Sequence, residues 1–83
     1  MNIKILGSGC KKCLALADNA AKAAQAANID FEIEKITDIV AIARFGIMST
    51  PGLVLNGQVA SSGRVLSAYE IGQLLTQAEA QES

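Results

Sequence analysis

The sequence predicts a single α/β domain, a four-stranded mixed sheet with three helices in the order β-α-β-α-β-β-α. Three observations lead there. A short β-branched run ending in Gly-Ser-Gly is followed by an alanine-rich stretch and then by apolar-polar alternation, the pattern of a parallel βαβ unit. An Asn-Gly dipeptide later sits between two apolar runs, which signals a two-residue hairpin turn. The chain's 83 residues, 51% of them hydrophobic, are enough for one compact core and too few for two. The domain is expected to occupy residues 1–80, with 81–83 as a frayed C-terminal tail.

Residues 2–6, NIKIL, read as a buried strand that stops at Gly7-Ser8-Gly9. From Lys11 to Ala27 the chain carries eight alanines after Leu14, with Leu14, Ala17, Ala21 and Ala24 in helical register and Asn28 where a left-handed cap is expected. Residues 29–36 alternate Ile29, Phe31 and Ile33 with Asp30, Glu32 and Glu34, as an edge strand with one wet face does. Thr37 or Asp38 caps a short helix from Ile39 to Phe45, closed by Gly46. Leu53 to Leu55 and Gln58 to Ala60 form the hairpin around Asn56-Gly57. Ser67 and Glu70 make a capping box, Leu66 and Ile71 a hydrophobic staple, and a helix from Ala68 to about Ala80 follows with Ile71, Leu74, Leu75 and Ala78 on its buried stripe.

Composition narrows the function. Seven Lys plus Arg stand against eight Asp plus Glu, with no basic block, so nucleic acid is not an expected partner. No window reaches the roughly 18 apolar residues of a membrane span. MNIKIL also falls short of the about 7 to 15 apolar residues of a secretory h-region. A cytoplasmic address is expected, where thiols stay reduced and a close cysteine pair is catalytic or metal-binding rather than structural. There is no His, so chemistry falls to cysteines, carboxylates, lysines and backbone.

The two cysteines lie in GSGCKKC, residues 7–13, at a strand-to-helix turn. The positive end of the helix dipole favours thiolate at Cys10, which makes it the nucleophile, and Lys11 and Lys12 add positive charge as possible modulators. Cys13, inside the first turn, is suited to resolving a mixed disulfide. A stapling disulfide is the bland alternative, but so short a loop constrains little of the unfolded chain. Metal binding is the sharper rival, since two thiolates suit Cu(I) or Zn(II); no further Cys or His exists to close a site, and no metal is expected. Thr50-Pro51 opens the third strand. From residues alone Pro51 is an ordinary trans proline, because only about 5% of X-Pro bonds in folded proteins are cis.

Taken together, ILGSGCKKC, GIMSTPGLVLNGQVASSG and the capped last helix resemble the thioredoxin-like superfamily, and most closely its small redox-active-disulfide proteins. The resemblance covers nearly the whole chain and implies a minimal thioredoxin fold. It implies a thiol-disulfide oxidoreductase or electron carrier with Cys10 attacking, Cys13 resolving, a cis-Pro51 beside the dithiol, Thr50 as the substrate-contacting backbone and Gly63 on the same rim. The expected partners are a disulfide-containing protein substrate and a thiol or flavoprotein reductase as electron donor. A monomer without a cofactor is expected, its redox centre being the Cys10–Cys13 disulfide. The alternatives are a Cu(I)- or Zn-binding dithiol protein and a weakly redox-active interaction module of the same fold. The chain departs from thioredoxins in lacking Trp, in having Gly9 before the first cysteine and in reading Lys-Lys between the two.

Overall fold

The computed structural model describes residues 1–7, 9 and 11–82, and for residues 79–82 the backbone alone. Its elements are β1 (Asn2–Leu6), α1 (Lys11–Ala26), β2 (Glu32–Ile36), α2 (Ile39–Arg44), β3 (Gly52–Leu55), β4 (Gln58–Ser62) and α3 (Ala68–Glu82). The sheet order is β2-β1-β3-β4, with β1 parallel to β2 and antiparallel to β3, and β3 antiparallel to β4. This is the mixed four-stranded α/β arrangement that the sequence predicts, with β2 at an edge.

Strand alternation divides the core between two layers. Ile3, Ile5, Leu53 and Leu55 point to one face, where they pack with Leu16, Ala20 and Ala24 of α1 and Ile71 and Leu75 of α3. Leu6 and Val54 point to the other face and meet Ile42 of α2, flanked by Ile36, Phe45 and Ile47. Alanines on the inner side of α1 keep that helix close to the sheet. Gly52 serves the second face in the same way, because a Cβ there would lie 2.6 Å from the Ile47 Cδ1. Lys4 shares that face, its Nζ 5.7 Å from the centroid of the Phe45 ring, within cation-π reach.

Local signals account for the connections. Asn28 adopts φ 56° just past α1, and Asn56 and Gly57 adopt φ 51° and 85° between β3 and β4, the pairing of positive angles that a type I′ hairpin turn requires. Asp38 caps α2 by accepting from the Val40 N–H at 3.1 Å. The capping box of α3 is closed in both directions, Ser67 N–H to Glu70 Oε1 and Glu70 N–H to Ser67 Oγ, each at 3.2 Å. Leu66 and Ile71 are both buried beneath it. Asn19 of α1 donates to the Leu66 carbonyl at 2.9 Å and so ties the entry of α3 to α1.

Several boundaries and one face differ from the sequence expectation: α1 ends at Ala26 rather than Ala27, β3 begins at Gly52 rather than Leu53, and β4 runs to Ser62 rather than Ala60, where strand pairing continues opposite Gly52 and Leu53. β2 begins at Glu32 rather than residue 29, opposite Asn2 at the start of β1; ahead of it Glu32 N–H donates to the Met1 carbonyl at 2.9 Å and the Met1 ammonium to the Asp30 carbonyl at 3.0 Å. α2 ends at Arg44, leaving Phe45 as its C-cap. The helical backbone of α3 continues to Glu82, two residues past the expected end at Ala80, while Ser83 lies outside the described residues. On α1 the buried residues are Cys13, Leu16, Ala17, Ala20, Ala23 and Ala24, whereas Leu14 is half exposed and Ala21 only partly buried. The inner face is set by Cys13, which packs as a small apolar residue, and the stripe therefore turns by about one position from the one expected.

Candidate functional site

The site forms where β1 runs out. Gly7 donates to the Ile36 carbonyl at 2.9 Å, extending the β1–β2 pairing by one residue. Helix α1 begins at Lys11, so the Cys13 side chain falls in its first turn on the face turned to the sheet, 4% exposed. Cys10 and Ser8 lie outside the described residues. By sequence Cys10 immediately precedes the helix.

Gly7 is where the site's parts converge. A Cβ built on it would collide with the Cys13 Sγ and would lie 3.8 Å from the Thr50 Cβ. The absence of a side chain at Gly7 thus lets the Cys13 sulfur lie against the end of β1 with Thr50 beside it. Thr50 is exposed, Pro51 is fully buried, and the peptide bond between them is cis. The Gly63 N–H donates to the Pro51 carbonyl at 2.9 Å, and a Cβ on Gly63 would stand 2.9 Å from the Ser49 Cβ. Gly63, at φ 74°, is therefore seated directly against the 49–51 segment. Cys13, Thr50, Pro51 and Gly63 are thereby gathered at one end of the sheet, with Cys13 and Pro51 buried and Thr50 and Gly63 exposed.

Lys11 and Lys12 are both exposed on the first turn of α1, which carries no acidic residue. Two cations at the positive end of a helix dipole are unfavourable, and an anion at the same end offsets them. Exposed apolar side chains flank two site residues in sequence: Leu14 one residue after Cys13 and fully exposed Met48 two residues before Thr50. Neither Leu14 nor Met48 stood out from the sequence pattern as surface residues. The signal available was the placement of Leu14 off the stripe that runs from Cys13 through Leu16, Ala17 and Ala20.

Among the described residues no group of three or more His, Cys, Asp or Glu side chains is placed to hold a metal ion. Among the described residues no helix is long and apolar enough to cross a membrane.

Comparison with known proteins gives a consistent picture. The thioredoxin domain family matches residues 1–76. A thioredoxin of Methanothermobacter thermautotrophicus is 40% identical over 76 residues, covering 92% of this chain and 99% of that protein. A thioredoxin of Methanocaldococcus jannaschii is 37% identical over 73 residues, covering 88% of this chain and 84% of that protein.

Proposed function

We propose, for a chain that belongs to the thioredoxin domain family, that it is a thiol-disulfide oxidoreductase in which Cys10 attacks and Cys13 resolves. The observation that carries this reading is the position of the Cys13 sulfur, buried in the first helical turn and packed against Gly7 with Thr50 alongside. A resolving thiol has to be shielded from outside disulfides yet reachable by its partner three residues away, and this burial suits that need.

In the reductive direction the Cys10 thiolate attacks one sulfur of a substrate disulfide. The substrate S–S bond breaks, its leaving sulfur takes a proton, and a mixed disulfide forms on Cys10. Cys13 then loses its proton and attacks the Cys10 sulfur. The mixed disulfide breaks, the second substrate thiol is released protonated, and the protein is left with a Cys10–Cys13 disulfide. Two electrons pass from protein to substrate, and a thiol or flavoprotein reductase returns them. Thr50 and Gly63 supply backbone at the rim for an extended substrate, Pro51 anchors that rim, and the exposed apolar residues around it accept the flanks of an unfolded segment. Lys11 and Lys12 modulate Cys10 by favouring its thiolate.

Trapping tests this. With Cys13→Ser, a disulfide-bearing protein should accumulate as a mixed disulfide on Cys10 that a small-molecule thiol releases, while the wild-type chain turns over without accumulating it. A wild-type chain that does not accelerate reduction of a protein disulfide, together with a Cys13→Ser variant that traps nothing, would overturn the reading. Tight uptake of one equivalent of Cu(I) or zinc by that same inactive chain would favour the metal-binding alternative.

A further inference from the structure

Charge is divided unevenly between the two ends of the sheet. β1 and β2 run parallel and both finish at the end that carries Cys13, Thr50 and Gly63. Three exposed cations stand there: Lys11 and Lys12 on the first turn of α1, which holds no acidic residue, and Lys35 one residue before the end of β2. Lys35 lines the same small cavity as Gly7, Gly9 and Cys13, which fixes it at this end. The ion pairs found among the described residues, Lys22 with Asp18 and Arg64 with Glu70, involve none of the three. The acids at this end are Asp38, whose carboxylate caps α2, and Glu70, which lies 3.3 Å from Arg64. Asp30 and Glu32 are exposed at the opposite end, where β2 begins. At about 3.3 Å per residue, Glu32 stands about 13 Å along the strand from Ile36. A chain of net charge -1 therefore has a positive end, and the site lies on it.

Resting on the dithiol reading above, we propose that this end is a docking surface for acidic protein segments, so that the preferred substrate is a disulfide flanked by Asp or Glu. Charges of one sign gathered at an exposed site raise the arrival rate of partners of the other sign. The Debye length in physiological salt is about 8 Å, shorter than the distance to Glu32, so an approaching segment meets the lysines rather than the net charge. The positive end of the α1 dipole acts in the same sense. Backbone at Thr50 and Gly63 holds an extended segment whatever its side chains, and the cations then choose among sequences. A basic segment is repelled at the same place. Exposed lysines also serve solubility, but that role needs no segregation from the acids and makes no demand on which disulfide is reduced.

The experiment measures how fast the reduced full chain reduces three synthetic peptides, each with one internal disulfide and identical apart from flanking Glu, Gln or Lys. Each rate is divided by that with dithiothreitol, an uncharged dithiol, which removes the effect of the flanks on the disulfide itself. At about 0.1 M salt the Glu-flanked peptide should be reduced about five- to tenfold faster than the Lys-flanked one, near the low end of steered association because the lysines are few and exposed. At about 1 M salt, where the Debye length falls to about 3 Å, the ratio should shrink to within about twofold of one. Lys11→Gln, Lys12→Gln and Lys35→Gln together should bring the ratio at about 0.1 M to the same value. A ratio cancels any change in Cys10 thiolate, which alters all three rates alike. Asp30→Asn with Glu32→Gln shifts net charge at the far end and should leave the wild-type ratio. A wild-type ratio near one at about 0.1 M, a preference that survives in the triple variant, or an equal change from the far-end pair overturns the proposal. The Gln-flanked peptide keeps two failures apart: its reduction without any acidic preference defeats the docking surface alone, whereas a chain that reduces none of the peptides fails the dithiol reading and this proposal with it.

Discussion

Substituting Gly7 with alanine tests whether the end of β1 and the first turn of α1 are as closely fitted as the structure shows. The new Cβ would collide with the Cys13 Sγ, lie 3.5 Å from the Cys13 Cβ and come within 3.8 Å of the Thr50 Cβ. Gly7 cannot retreat freely, since its N–H is bonded to the Ile36 carbonyl at 2.9 Å. Overpacking of this kind costs about 1 to 3 kcal/mol. Restricting the unfolded chain returns about 0.4 to 1 kcal/mol of that. A net loss of about 1 to 2 kcal/mol is expected, equivalent to a fall in Tm of roughly 4 to 15 °C for a domain of this size. The assay is urea unfolding under reducing conditions for four proteins: wild type, Gly7→Ala, Cys13→Ala and the double variant. Removing the sulfur should relieve the clash, so the cost of Gly7→Ala should fall to within about 0.5 kcal/mol of zero in the Cys13→Ala background. Additive costs, with Gly7→Ala equally damaging whether or not Cys13 has its sulfur, would refute the reasoning.

Two further outcomes follow from the helix ends. Ser67→Ala opens the capping box and leaves the Glu70 N–H without its side-chain acceptor, so urea unfolding should show a loss of about 0.5 to 2 kcal/mol. A Lys11→Glu and Lys12→Glu pair places acids at the positive end of α1 and should stabilise the helix by about 0.3 to 1 kcal/mol each at low salt. The same pair should slow alkylation of Cys10 at neutral pH, because the thiolate loses its cationic neighbours. A double variant that is both less stable and unchanged in Cys10 reactivity would show that the lysines do not act through the helix terminus.

What the sequence by itself determined is everything encoded within a few residues. The capping box of Ser67 and Glu70, the positive angles of Asn28, Asn56 and Gly57, and the cap at Asp38 are each written in a short segment and appear where the residues place them. Such features depend on side chains reaching their own backbone or on φ preferences, which tertiary context rarely overrides. The element order and the parallel βαβ unit were legible for a related reason, since periods of two and of about 3.6 residues report which faces need cover. Tertiary structure alone decided what depends on partners distant in sequence. β2 starts at Glu32 because that residue lies opposite Asn2, where β1 starts, and no pattern within residues 29–36 records this register. The inner face of α1 runs through Cys13 and Leu16 instead of Leu14 and Ala21 because the sulfur packs against Gly7, and alanines on every side of a helix leave its periodicity nearly silent. The convergence of Cys13 with Thr50, Pro51 and Gly63 is likewise a product of the sheet order, which sets β3 beside β1. Lys35 of β2 helps to line the same small cavity as Cys13 only because the β1–β2 register sets it opposite Ile5. A charge in a strand reads from sequence as a wet position, and the identity of the atom across the cavity from it is settled by packing.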